Sequence, residues 1–174
     1  MTNTTHHGLI GLGTMGAALA LNIAEKGFAL AVYNRTPEVT RAFIAAAGGL
    51  ANRLIPAESL EAFVAAIVPP RTILLMVPAG PVVDAQIEAL RPLLGADDLI
   101  VDAGNANFAD TQRRTEQAHA DGFGFMGIGV SGGEEGARHG AAIMAGGSAH
   151  QWTRVGPLLQ AIAARHQDDP CAAP

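Results

Sequence analysis

Cysteine, tryptophan and tyrosine each occur once in this chain of 174 residues, and charged residues make up only 16% of it. The lone Cys171 excludes an internal disulfide framework and a multi-cysteine metal site. It fits a reduced, cytoplasmic setting. Basic residues are the minority, 11 against 16 acidic ones, for a net charge of −5. A nucleic-acid module carries a basic face, so that class is excluded, whereas a local anion site is not. Apolar runs such as 73–77 are far short of the roughly 18 residues of a membrane span. The polar start, 1–7, lacks the basic stretch of a signal peptide, and its His6-His7 pair reads as solvated side chains rather than a metal site. With 49% apolar residues, the chain has enough to bury a sizeable core, and its length suits one domain.

What the chain has in excess is glycine. Thirteen of its 21 glycines cluster at 11–16, 48–49, 127–140 and 146–147, where backbone must turn sharply or let something approach closely. Apolar blocks separate the clusters. Strands are predicted at 7–12, 28–33, 72–77, 99–101, 123–130 and 141–144. Helices are predicted at 14–26, 59–67, 81–94, 110–121 and 148–165, and from Pro37 to about 47 behind a Thr36 N-cap. On the helix at 81–94, Val82, Val83, Ile87, Leu90 and Leu94 are expected to face inward. The alternation indicates an α/β, Rossmann-type, doubly wound and mainly parallel sheet with helices on both faces. That domain is expected to occupy 1–166, and the Pro- and Ala-rich tail, 167–174, is expected to form no element.

Gly11-Leu12-Gly13-Thr14-Met15-Gly16 matches G-x-G-x-x-G after a strand and at the start of a helix. Gly11 permits the turn, Gly13 admits a pyrophosphate to the backbone and Gly16 allows close packing of helix on strand. The free N–H groups of the helix start then face the anion. The plainer alternative is an ordinary strand–helix turn. About 20 residues on, an NAD site usually carries Asp or Glu for the ribose hydroxyl. Here Asn34-Arg35-Thr36 stands instead. A guanidinium meets a 2′-phosphate with bidentate bonds, so the reading is NADP, against the alternative of a solvated Arg35 and a capping Thr36. Two further loops, 77–80 and 103–107, should end strands on the same edge, where such sheets bind ligands. Asn105 there is either a ligand contact or an Asx turn. The run Gly129-Val130-Ser131-Gly132-Gly133-Glu134-Glu135-Gly136-Ala137-Arg138 offers several N–H donors to a carboxylate or phosphate, or else is a flexible loop.

Over 9–171 the sequence resembles the amino-terminal coenzyme domain of the 6-phosphogluconate dehydrogenase family. The resemblance rests on the fingerprint at 11–16, Tyr33-Asn34-Arg35-Thr36, Ala79-Gly80 with Val83-Asp84, Asp102-Ala103-Gly104-Asn105 and, above all, the run 129–138. It implies oxidative decarboxylation of 6-phosphogluconate to ribulose 5-phosphate with NADP. By the same resemblance, Gly11, Leu12, Gly13, Thr14, Met15 and Gly16 hold the pyrophosphate, and Asn34, Arg35 and Thr36 hold the 2′-phosphate. Val77, Pro78 and Ala79 line the coenzyme, Asn105 touches coenzyme and substrate, and Ser131, Gly132 and Gly133 bind the phosphorylated sugar acid.

The chain departs from the family pattern at Pro78 (usually Lys), His139 (Tyr), Ala141-Ala142 (Pro-Ser) and Ala145 (Pro). The family's general base, a lysine, and general acid, a glutamate, lie past residue 174 in a helical second domain, so no catalytic residue and no metal site are assigned here. Two other readings stand beside the leading one. One is a non-catalytic dinucleotide-binding module or half of a split enzyme; the other is a reductase of another small β-hydroxy acid. A helical partner domain or weak self-association is expected at an apolar face near the strand ends and the final helix.

Overall fold

The computed structural model describes residues 4–174, so Met1, Thr2 and Asn3 of the polar start lie outside the described residues. The chain alternates strand and helix as its apolar pattern requires. β1 (Thr5–Ile10), α1 (Thr14–Glu25), β2 (Leu30–Tyr33), α2 (Pro37–Ala46), β3 (Leu54–Ala57) and α3 (Leu60–Ala65) form the first half. β4 (Ile67–Leu75), α4 (Pro81–Leu90), β5 (Leu99–Asp102), α5 (Phe108–Ala120) and β6 (Gly124–Ser131) form the second. α6 (Gly133–His139), β7 (Ala142–Ala145), α7 (Ala149–Ile162) and the short strands β8 (Arg165–His166), β9 (Asp169–Pro170) and β10 (Ala172–Ala173) complete the chain.

The main sheet runs β10-β7-β6-β5-β4-β1-β2-β3. Strands β1 to β6 pair in parallel, and β7 is antiparallel to β6. Successive side chains leave the sheet on opposite faces, and the strand sequences obey that rule. Leu9, Leu74, Leu99, Val101 and Met126 enter one core with α1 and α7. Ile10, Ile73, Leu75, Ile100 and Phe125 enter a second core with α3 and α4. Each fully buried Leu, Ile or Phe contributes about 1.5–3 kcal/mol through burial.

The chain builds β1, β2 and β3 toward one side, then returns β4 to the other side of β1. That reversal opens a crevice between the carboxyl ends of β1 and β4, where ligands bind in such sheets.

The doubly wound fold is as expected, with local corrections. The tail is not irregular. Arg165 pairs with Pro170, and Ala172 and Ala173 extend the main sheet beside Ile143 and Met144. The Ile143 N–H donates to the Cys171 carbonyl at 2.8 Å, and Ala172 is buried. The backbone ladder carries this strand, not side-chain preference. β3 had no forecast, and Pro69 and Pro70 sit inside β4 rather than at a helix end. His6 and His7 belong to β1: His6 Nδ1 lies 2.9 Å from the Val68 carbonyl, and burial against Phe28 lowers the pKa of His7.

Candidate functional site

Because β1, β2, β4, β5 and β6 are parallel neighbours, their carboxyl ends bring residues 11–16, 34–36, 77–80, 103–107 and 131–133 to one edge. Backbone bonds stitch the loops together. Gly11 N–H donates to the Tyr33 carbonyl, Met76 N–H to Ile10 and Ala103 N–H to Leu75, each at 2.9 Å.

The glycine loop has the geometry its spacing implies. Gly11 adopts φ +98°, and a Cβ there would sit 2.3 Å from the Met76 carbonyl oxygen. A Cβ on Gly16 would meet the Gly11 carbonyl oxygen at 1.8 Å, so no larger residue allows α1 to start so close to β1. Nothing stands within 4 Å of a Cβ position on Gly13, so its backbone is open. The first helical bond joins Ala17 N–H to the Gly13 carbonyl at 2.8 Å. The amides of Thr14, Met15 and Gly16 precede it and have no helical acceptor. This is a cradle suited to an anion.

A cavity of about 570 Å³ opens beside the cradle. Gly11, Gly13, Asn34, Arg35, Thr36, Val77 and Pro78 line it, together with Val82, Ala85, Gln86 and Ala89 of α4. The last four lie at i, i+3, i+4 and i+7, one face of a helix. That second stripe was the signal available in the sequence. It also corrects the placing of Val82, which is 45% exposed at the cavity and not in the core. Leu94 lies outside α4, which ends at Leu90.

Arg35 is exposed and, among the described residues, has no ion-pair partner. Nearby Arg41 is held by Glu38 and Glu58, each at 2.6 Å. Thr36 is the N-cap residue of α2 but makes no side-chain cap bond. Asn34 lines the cavity, and its Nδ2 donates a long bond, 3.4 Å, to the Thr36 carbonyl. Its Oδ1 accepts the Leu12 N–H at 3.0 Å, which fixes the glycine loop against the end of β2. Leu12 itself is buried, with its amide taken. Ala79 is exposed on the loop of Val77 and Pro78 but does not line the cavity.

A second cavity, about 320 Å³, runs from Gly13, Thr14, Met15 and Gly16 past Val77 to Gly104 and Asn105. Asn105 stands in the left-handed region at φ +56°. Its Oδ1 accepts the Val130 N–H at 3.3 Å, so it bridges to β6 and is not the local Asx turn. Ser131, Gly132 and Gly133 are exposed at the end of that strand, and the run 133–139 is helix α6 rather than a flexible loop. His139 is exposed and lies 3.8 Å from Glu135.

Sequence reasoning missed a charged group behind the loops. Arg114 of α5 is buried and bonds Asp84 through two nitrogens, at 2.9 and 3.0 Å. These bonds, with help from Arg113, hold the Asp84 pKa down at about 2. Asp102, buried at the end of β5, has its pKa raised by desolvation, while the Gly104 N–H and Arg114 pull the other way. A buried Arg in an otherwise polar helix and a buried Asp at a strand end leave no periodic trace, so only tertiary structure reveals them.

The most exposed large apolar side chains among the described residues are Phe108, 80% exposed beside the loop of Asn105, and Met144 of β7, 55% exposed. On α7, Val155, Leu158, Leu159 and Ile162 are buried.

A family model described as the NAD binding domain of 6-phosphogluconate dehydrogenase matches residues 6–171. The decarboxylating 6-phosphogluconate dehydrogenase of Synechococcus elongatus is 54% identical over 94% of this chain, and the match covers 35% of that protein. Two Bacillus subtilis relatives, one NADP(+)-dependent and one NAD(+)-dependent, are each 46% identical over 94% of the chain and covered over 34% and 35% of their lengths. Among solved structures, Plasmodium falciparum 6-phosphogluconate dehydrogenase aligns with a TM-score of 0.90 at 35% identity, over 96% of this chain and 36% of its own. The chain thus spans about a third of the length of these relatives. With its glycine cradle, its cleft and its Ser-Gly-Gly strand end, the chain belongs to the family of 6-phosphogluconate dehydrogenase NAD-binding domains.

Proposed function

We propose that this chain binds NADP and supplies the coenzyme half, with part of the sugar-acid contacts, of a decarboxylating 6-phosphogluconate dehydrogenase site. One observation carries the coenzyme choice. Among the described residues, Arg35 has no ion-pair partner and no carboxylate lines the cavity beside it. Kinship alone is neutral, because equally similar relatives carry either coenzyme in their names.

The residues fit the group. The open backbone at Gly13 and the amides of Thr14, Met15 and Gly16 receive a pyrophosphate, Arg35 and Thr36 receive a 2′-phosphate, and the α4 face covers the adenosine. Bound NADP supplies a hydride acceptor, and the protein orients it. Asn105 reaches from β5 toward β6 between the coenzyme cleft and Ser131, Gly132 and Gly133, so it is placed to contact both coenzyme and a phosphorylated sugar acid. Pro78 removes the cation that the family usually has near this point, which weakens attraction for an anionic substrate.

The Rossmann unit, expected at 1–166 and extended by β10, carries the binding, and the catalytic base and acid come from a helical partner domain. That partner covers the apolar surface of Phe108 and Met144, and weak self-association takes its place in the isolated chain. A cytoplasmic metabolic setting completes the proposal. Calorimetric titration of the chain with NADP and with NAD tests the coenzyme choice. NADP should bind at least about tenfold more tightly, a difference of about 1.4 kcal/mol. Equal affinity would overturn the assignment of Arg35.

A further inference from the structure

Arg114 is the largest fully buried side chain among the described residues, on a helix that otherwise buries only Ala118. A buried guanidinium is costly to desolvate, and a well-packed apolar side chain often serves stability as well or better. Its position needs another account, and its bonds supply one.

Nε and Nη2 grip both oxygens of Asp84 in the first turn of α4. Nη2 also donates to the Gly80 carbonyl at 2.9 Å, at the end of loop 77–80. Nη1 faces Asp102 Oδ2 at 3.6 Å, and Asp102 Oδ1 accepts the Gly104 N–H at 3.0 Å. One rigid, planar group thus reaches the loop after β4 and the loop after β5 from behind. The loops abut directly: a Cβ on Gly104 would sit 2.5 Å from the Val77 carbonyl oxygen.

These two loops form the end of the cleft remote from Arg35. The cavity that begins at Gly13 passes Val77 and ends at Asn105. A dinucleotide with its 2′-phosphate at Arg35 and its diphosphate over Gly13 therefore places its second nucleoside between Val77 and Asn105. We infer that Arg114 is a positioning residue, holding the loops after β4 and β5 in the one relation that accepts the nicotinamide end of the coenzyme. The inference rests on the NADP reading above. It names a group that touches no ligand and assigns it an effect on one half of the ligand only.

The test compares whole and half ligands. Calorimetry is run with NADP and with adenosine 2′,5′-bisphosphate, which has no nicotinamide end, on the unaltered chain, on Arg114→Lys and on Asp84→Asn, with thermal unfolding alongside. Lysine keeps the charge but cannot make the fork of bonds. R114K should weaken NADP about tenfold and the bisphosphate less than about twofold. D84N, at a partly exposed carboxylate and with an amide oxygen still able to accept from the guanidinium, should show the same pattern at smaller size and decides the matter if R114K does not fold. Equal losses for both ligands mean a general structural role and overturn the inference, as does no loss for either. An unaltered chain that binds no NADP defeats the coenzyme reading and this inference together. One that binds NADP while neither variant discriminates defeats this inference alone.

Discussion

At the adenosine end of the cleft, a cavity of about 570 Å³ is walled by the glycine loop, the end of β2, the loop after β4 and one face of α4. At the Asn105 end, the space beside Phe108 and Gly129 measures about 290 Å³, and Phe108 projects with 80% of its surface exposed. The first end is assembled from four segments that support one another by backbone bonds and by the Asn34 tether. The second has a floor, with Asn105 fixed to Val130, and is walled by the end of β5 with its loop, the start of α5 and β6. A coenzyme fold completes its own nucleotide pocket because strand order and glycine spacing dictate it. A substrate site spread across a sheet edge needs groups that the sheet does not provide.

The largest effect expected from this contrast concerns turnover. A base placed within hydrogen-bond reach contributes about 10²–10⁴ in rate, and the function proposed above draws that base from a helical partner domain. The isolated chain with NADP and 6-phosphogluconate should show negligible NADPH formation by absorbance. Ordinary turnover that disappears in His139→Ala would place the base on α6 and break the contrast.

Next in size is Arg35→Asp. Loss of a charge-assisted phosphate contact costs about 1.5–3 kcal/mol. NADP affinity should fall accordingly, with NAD affinity level or improved, as read by calorimetry. A variant that still prefers NADP would move the 2′-phosphate site elsewhere. Gly16→Ala should follow. Its methyl group would overlap the Gly11 carbonyl, and overpacking of this kind costs about 1–3 kcal/mol. Thermal unfolding should report the lower stability, with weaker NADP binding beside it. The smallest effect belongs to the open end. Phe108→Ser should change stability by no more than about 0.5 kcal/mol in the isolated chain, as for other exposed positions. A large loss there would mean that this face is already packed in solution.

The same contrast explains what was legible before the structure. The strands of the sheet centre are runs of Val, Ile and Leu, and the fingerprint at 11–16 located the start of α1, while β1 ends at Ile10, two residues before its forecast end. Asn34, Arg35 and Thr36 followed by spacing, although the tether from Asn34 to Leu12 did not, because a side-chain choice between backbone and ligand leaves no pattern. β3 was hidden by Pro56 and by its shortness, and β10 by consisting of two alanines. α6 was hidden by glycine at both ends and in its middle. Arg114, Asp84 and Asp102 lie far apart in sequence and meet only through the crossing of α4, β5 and α5.

The central claim is that the adenosine end is finished and the substrate end is not. Calorimetry of the unaltered chain with three separate ligands, NADP, adenosine 2′,5′-bisphosphate and 6-phosphogluconate, tests it most directly. The account predicts that the bisphosphate binds within about tenfold of NADP, a gap of about 1.4 kcal/mol, and that the sugar acid alone gives no measurable heat. A sugar acid that binds as tightly as NADP, or a bisphosphate that does not bind where NADP does, would contradict it.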